Sequence, residues 1–148
     1  MKGIDMPASK VLYSTKATAT GGRDGTSKTH DGALDLKLAT PKELGGTGGE
    51  GVNPEQLFAA GYAACFLGAM KAYARGKKIA VPEDAEVTAT VGIGPRDDDG
   101  FGIKVEIEVS LPGVADDVAD DLIAGAHHVC PYSDATRGSL EITPTRAA

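Results

Sequence analysis

Four side chains in this sequence can react: Cys65, Cys130 and the adjacent pair His127 and His128. Three chemistries use such a set. The first is zinc ligation. Soft ligands are present, but there is no Cys-x-x-Cys pair and no spaced histidine pair, and adjacent histidines on a helix point about 100° apart. The second is acyl transfer, with Cys65 as nucleophile and a histidine as base. That needs an oxyanion hole, and a cysteine in mid-helix has no free backbone N–H groups beside it. The third is thiol redox chemistry between Cys65 and Cys130. It needs a thiolate, and a free cysteine has a pKa of about 8.5. Two cysteines are also consistent with free, buried structural thiols.

The elements that position these groups follow from the patterning. Asn53 to Met70 is the longest apolar segment, and Cys65 is in its middle. Asn53 suits an N-cap, Pro54 the first helical position, and Glu55 and Gln56 the first turn. Lys71 and Arg75 fall late, and Gly76 offers a left-handed stop. A helix from Pro54 to Arg75 is about 30 Å long. It is apolar or small on every face from Leu57 to Met70, so it is expected to be buried all round. One sheet covers one face, and a second copy of the chain is the simplest cover for the rest. A homodimer centred on this helix is expected.

Before the helix, Val11, Tyr13, Thr15, Ala17 and Ala19 alternate as in a half-buried strand, and residues 1–8 read as a loose arm. Gly21-Gly22-Arg23-Asp24-Gly25 is turn chemistry. Residues 33–39 form a second expected strand, paired with the first. The glycine-rich stretch 41–51 lacks the ending of a phosphate loop and reads as a connector. After the helix, 86–94 and 101–111 predict a hairpin around the turn 95–100. The contiguous acids of that turn do not follow a calcium loop's alternation. Val114, Val118, Leu122, Ala126 and Val129 mark a one-sided second helix that Pro131 stops at Cys130. A turn over 132–138 leads to a last strand around 140–143. Hairpins segregated from helices predict an α+β class, with an antiparallel sheet and a long buried central helix.

At 148 residues the chain is expected to be a single domain, 1–148. The net charge of −6 argues against a nucleic-acid surface. No apolar run reaches the ~18 residues of a span without a polar break, so no membrane partner is expected. No apolar core of a signal peptide follows Met1–Met6, which predicts a cytoplasmic protein. There, a permanent disulfide is not expected. Burial alone would push the Cys65 thiol up and make it inert, so a redox role requires a nearby cation. Arg23 is the best candidate, because an arginine stays charged and a carboxylate can hold it by two points. Glu55 could be that carboxylate, about 15 Å along the helix from Cys65. On the residues alone, the favoured reading of Arg23 is an ordinary loop charge and that of Glu55 a helix-start acid.

Two segments, 53–66 (NPEQLFAAGYAACF) and 129–138 (VCPYSDATRG), resemble the signatures of the organic hydroperoxide resistance (Ohr) proteins in the OsmC/Ohr superfamily. The turn 20–25 (TGGRDG) is similar to their N-terminal turn, and length and element order match across the chain. Tyr132 after Cys-Pro favours the Ohr branch. Ser139 departs from the Asn found in many members, outside the site that the resemblance implies. The resemblance implies an OsmC-like fold, an intertwined homodimer with sites at the subunit interface, and a thiol-dependent peroxidase. By position it makes Cys65 the peroxidatic cysteine, Cys130 the resolving one, and Arg23 and Glu55 the activating pair. It implies organic hydroperoxides as substrates, a lipoyl-bearing protein as dithiol donor, and no metal or flavin cofactor. Phe101 and Tyr132 are candidates to receive the alkyl group. The alternative class is a redox sensor whose cysteine pair reports oxidation without turnover. His30, His127 and His128 are assigned no role beyond helix-end positions for the last two.

Overall fold

The structure, a computed structural model, describes residues 7–148. The expected absence of a signal peptide in Met1–Met6, and most of the expected loose arm, lie outside the described residues. The remainder groups into two compact units, Ala8–Leu57 and Phe58–Ala148.

In the first unit, β1 (Ala17–Thr20), β2 (Thr26–Thr29) and β3 (Asp35–Lys37) form an antiparallel meander in the order β1-β2-β3. This corrects the expected pairing, because the third strand pairs with β2 and not with the first. β2 reads Thr-Ser-Lys-Thr, with no apolar alternation to reveal it. The first strand is also shorter than its pattern suggests. Among the described residues Val11, Leu12 and Tyr13 have no strand partner, and they are 70%, 88% and 79% exposed.

The β1–β2 connection explains its glycines. Gly21 and Gly22 adopt φ of 73° and 59°, which only glycine tolerates well, and a Cβ on Gly25 would collide with the carbonyl of Thr20. The turn therefore fixes the one side chain of length between them, Arg23. Asp24 secures it further by accepting the backbone N–H of Thr40 at 3.1 Å.

Helix α1 runs Pro54–Lys77. Its start is a capping box. Asn53 Oδ1 accepts the Gln56 N–H at 2.8 Å, and Gln56 Oε1 accepts the Asn53 N–H at 2.9 Å. Its end corrects the expected glycine stop: the helix passes through Gly76, and Lys78 takes the left-handed conformation, φ 57°. By length and composition α1 is long and apolar enough to cross a membrane, although no apolar run of that length was expected. Its large side chains are spent inside the chain instead. Tyr62, Phe66 and Met70 are fully buried in the core cluster. Burial on all faces does not hold within one chain, because Ala60, Ala64, Gly68 and Ala72, four residues apart, are exposed.

The rest of that core comes from the second unit's sheet and helix. β4 (Glu86–Pro95) and β5 (Phe101–Ser110) form the expected hairpin, with Val87 opposite Val109 and Pro95 opposite Phe101. Val105, Ile107 and Val109 alternate into the core. Helix α2 (Asp116–Val129) adds Ala119, Leu122, Ile123 and Ala126; of the expected stripe, Leu122 and Ala126 are buried, Val114 and Val118 pack partly on the core, and Val129 is exposed. Gly125 is obligatory for this packing, since a Cβ there would enter the ring of Tyr73, whose hydroxyl donates to Asp121 at 2.6 Å.

Two short elements differ from expectation. Residues after Cys130 form a helix, α3 (Pro131–Thr136), rather than a turn. The last strand is β6 (Thr145–Arg146), parallel to β5, and not the stretch around 140–143. Leu140 and Ile142 pack on the core as irregular chain. Arg146 fixes β6 by donating to the carbonyls of Leu111 and Val114 at 3.1 and 2.7 Å. The class is α+β, with two small sheets in place of one.

Candidate active site

Cys130 ends one helix and begins the next. Its N–H closes α2 on the carbonyl of Ala126 at 2.8 Å, and its own carbonyl accepts Asp134 N–H at 3.0 Å in α3. Pro131 enforces this corner, because it cannot donate to α2 but suits the first position of α3. The corner presents the Cys130 thiol to Cys65 on α1, with the Sγ atoms 3.6 Å apart. Cys130 is fully buried and Cys65 is half-buried; neither is in a disulfide. A disulfide needs about 2.05 Å between sulfurs, so a small closure suffices.

Burial pushes the Cys65 thiol up to about 11, and the neighbouring Cys130 adds to the rise. One group opposes this, the backbone N–H of Tyr132. That donor is free because it lies in the first turn of α3, where N–H groups have no intrahelical partner. No N–H of α1 beside Cys65 is free, as expected of a mid-helix cysteine; the Tyr132 N–H belongs to another helix, α3, where a turn was expected.

Tyr132 also belongs to an aromatic trio with Phe58 and Tyr62, its ring centroid 6.2 and 5.7 Å from theirs. Gly61 makes room, since a Cβ there would lie 2.8 Å from the Tyr132 hydroxyl. Beneath the trio runs a polar chain that sequence reasoning missed. Tyr62 OH and Ser133 Oγ are 2.7 Å apart, and Ser133 Oγ and His127 Nδ1 are 2.9 Å apart. Burial, then the charge of Arg137, holds the His127 ring below the usual histidine value. His127 is thus committed to Ser133 rather than to a thiol, and His128 is exposed. Among the described residues no three or more His, Cys, Asp and Glu side chains gather as a metal site. His30 bonds Thr18 Oγ1 through Nε2 at 2.9 Å, across the first sheet.

The structure also brings Arg23 and Glu55 together. Arg23 Nη1 donates to Glu55 Oε2 at 2.8 Å and Nη2 to Oε1 at 2.6 Å, a parallel two-point contact. The guanidinium holds the Glu55 carboxyl below its ordinary value, and the carboxylate raises the arginine further. Both are therefore ionised at neutral pH. Phe101 is exposed at the mouth of an open groove of about 800 Å³ that also takes in Phe58, Ile93, Pro95, Ile103 and Leu140. An apolar lining of this size accommodates an aliphatic or aromatic group.

The chain as a whole is similar to known proteins. Residues 46–145 match the family model described as OsmC-like protein. The organic hydroperoxide resistance protein of Xanthomonas axonopodis pv. citri is 55% identical over 138 residues, 93% of this chain and 96% of the relative. Among solved structures, the organic hydroperoxide resistance protein of Elizabethkingia anophelis superposes with a TM-score of 0.87 at 48% identity, covering 93% of this chain and 98% of that one. OhrB of Bacillus subtilis, another organic hydroperoxide resistance protein, gives 0.84 at 39%, covering 93% and 100%. With a family match over most of its length and relatives this similar end to end, the chain belongs to the OsmC/Ohr family, on its organic hydroperoxide resistance branch.

Proposed function

We propose that this protein is a cytoplasmic thiol-dependent peroxidase that defends against organic hydroperoxides. The observation that carries the reading is the pair of reduced thiols 3.6 Å apart, one half-buried and one fully buried. The names of the relatives supply the substrate class. The Cys65 thiolate attacks the distal oxygen of ROOH. The O–O bond breaks, the alkoxide takes a proton to leave as ROH, and Cys65 becomes a sulfenic acid. Cys130 then displaces the sulfenic hydroxyl as water and forms the Cys65–Cys130 disulfide. A dithiol donor reduces that disulfide by two exchange steps and is itself oxidised. The family resemblance makes a lipoylated protein the donor. Arg23, oriented by Glu55, is the cation that lowers the Cys65 pKa in this scheme. The groove that Phe101 lines is offered as the seat of the R group, where apolar burial favours alkyl over hydrogen peroxide.

Reduced protein given one equivalent of cumene hydroperoxide should form the Cys65–Cys130 disulfide within seconds, read by mass spectrometry of alkylated peptides. Two unmodified thiols with peroxide remaining would refute the reading. Turnover in the presence of excess dithiol separates an enzyme from a sensor, which would be consumed once.

We further propose a homodimer. The exposed small residues Ala60, Ala64, Gly68 and Ala72 allow close helix approach, and the exposed Val11–Leu12–Tyr13 segment has no cover among the described residues. Sedimentation equilibrium should return twice the 15.1 kDa chain mass; a monomer at micromolar concentration would overturn it.

A further inference from the structure

The buried hydroxyl of Ser133 lies between three helices and has no part in the peroxidase scheme above. It is 1% exposed, 2.7 Å from the Tyr62 hydroxyl of α1 and 2.9 Å from His127 Nδ1 of α2, while its own backbone belongs to α3. Its place relative to the cysteines is specific. Tyr62 precedes Cys65 by one helical turn, and Ser133 follows Cys130 by one turn. The oxygen–oxygen contact therefore runs beside the sulfur–sulfur contact, tying together the same two segments that the disulfide must join. His127 ties the same hydroxyl to the last turn of α2, and Arg137 Nη2 adds a bond to the His127 carbonyl at 3.1 Å. The corner that carries Cys130 is thus held at both its ends.

We propose that the Tyr62–Ser133–His127 chain is a positioning device for the resolving step: it holds the Cys130 corner so that its thiol meets the Cys65 sulfenic acid. The inference rests on the peroxidase reading and adds residues to it. Closing from 3.6 Å to a bonded disulfide moves the sulfurs by about 1.5 Å, with a narrow range of dihedral angles. A reaction so constrained is sensitive to the placement of the backbone, and misplacement by about 1 Å can cost a hundredfold. The chain is satisfied in either direction. Tyr62 can donate to Ser133 and Ser133 to His127, or His127 can donate to Ser133 and Ser133 to Tyr62. Losing one member leaves buried polar atoms unpaired and frees α3 to drift from α1. The first oxidation takes place at Cys65, with the cation of the scheme above, and the Cys130 thiol takes no part in it. A positioning role therefore splits the two steps, whereas a general loss of structure slows both.

The test follows both steps in one experiment. Reduced protein receives one equivalent of cumene hydroperoxide and is quenched over time into dimedone or N-ethylmaleimide. Mass spectrometry then counts sulfenic acid and disulfide. In Ser133→Ala, sulfenic acid should form at a rate within about twofold of wild type, while disulfide formation slows by about tenfold or more and the dimedone adduct on Cys65 accumulates. Tyr62→Phe, which keeps the ring and loses only the hydroxyl, should move in the same direction and decides the matter if Ser133→Ala fails to fold. Ser133→Thr retains the oxygen and should restore disulfide formation to within about threefold of wild type. Unchanged disulfide rates in both Ser133→Ala and Tyr62→Phe would overturn the inference, as would equal slowing of the two steps. If wild type itself forms neither sulfenic acid nor disulfide, the peroxidase reading fails first and takes this inference with it.

Discussion

Cys65→Ser should consume no cumene hydroperoxide above the uncatalysed rate, while Cys130→Ser should consume one equivalent per chain and then stall. The two losses differ because the sulfurs have different tasks. Serine at 65 offers a hydroxyl that stays protonated and cannot pass up the ladder from thiolate to sulfenic acid. At least about a thousandfold loss is expected, since the remaining thiol, Cys130, is fully buried. Serine at 130 leaves the first nucleophile intact, so the O–O bond is still cleaved. What is lost is the intramolecular partner 3.6 Å away, and with it the effective concentration that makes resolution fast. The sulfenic acid should then be trappable with dimedone, and excess peroxide should drive it to sulfinic acid. Xylenol-orange assay of residual peroxide, paired with intact-protein mass, reads both outcomes. Normal cycling of Cys130→Ser with a dithiol donor would remove Cys130 from the mechanism. A burst of one equivalent in wild type, with no further consumption when dithiol is supplied, would make the protein a sensor.

That pair was visible in the sequence only as two cysteines. Local signals gave the long helix almost to the residue, because the Asn53–Gln56 capping box and Pro54 are short-range chemistry. The β4–β5 hairpin and α2 were equally legible from their periods. What failed was what depends on tertiary contact. β2 carries no apolar alternation, since its strand is held by backbone pairing on both edges rather than by a buried face. β6 is two residues long and is fixed by the Arg146 side chain. Helix α3 has six residues, too few for a period, and its one clear signal was the proline after Cys130, which was taken as a stop and not also as a start. Missing α3 meant missing both the Tyr132 N–H and the Ser133 hydroxyl. Tyr62, on a strongly apolar helix, read as core, and the partner that occupies its hydroxyl lies 71 positions away. The approach of Cys130 to Cys65 came from family resemblance, and no spacing rule would have supplied it.

Arg23→Gln should raise the midpoint of Cys65 alkylation by iodoacetamide, and cut the peroxide rate at pH 7 by about a hundredfold. The argument starts from an energy that must be supplied. Burial beside Cys130 pushes the Cys65 thiol up to about 11, and the Tyr132 N–H offsets only part of this. Left so, roughly one thiol in ten thousand would be ionised at pH 7. A fixed cation is the remaining way to favour the thiolate, and each pKa unit it removes is worth about 1.4 kcal/mol. Arg23 is suited to this role because its guanidinium stays charged, and the two bonds from Glu55 restrict where it can point. Glutamine preserves some polarity and bulk while deleting the charge. Lysine would keep the charge but lose the parallel two-point contact, so Arg23→Lys should recover only part of the rate. The Glu55 carboxyl is held below its ordinary value by Arg23, so the ion pair is present at all pH above the unfolded carboxyl value of about 4.3 and is lost only as pH falls through the lowered folded value. The acid limb of the rate profile should therefore report protonation of the Cys65 thiolate, well above the pH at which the Arg23–Glu55 pair opens. In Arg23→Gln that limb should move to higher pH with the alkylation midpoint. If both stay where wild type has them, the activating charge is not Arg23, and the two-point pair with Glu55 serves only to anchor the glycine turn to the start of α1.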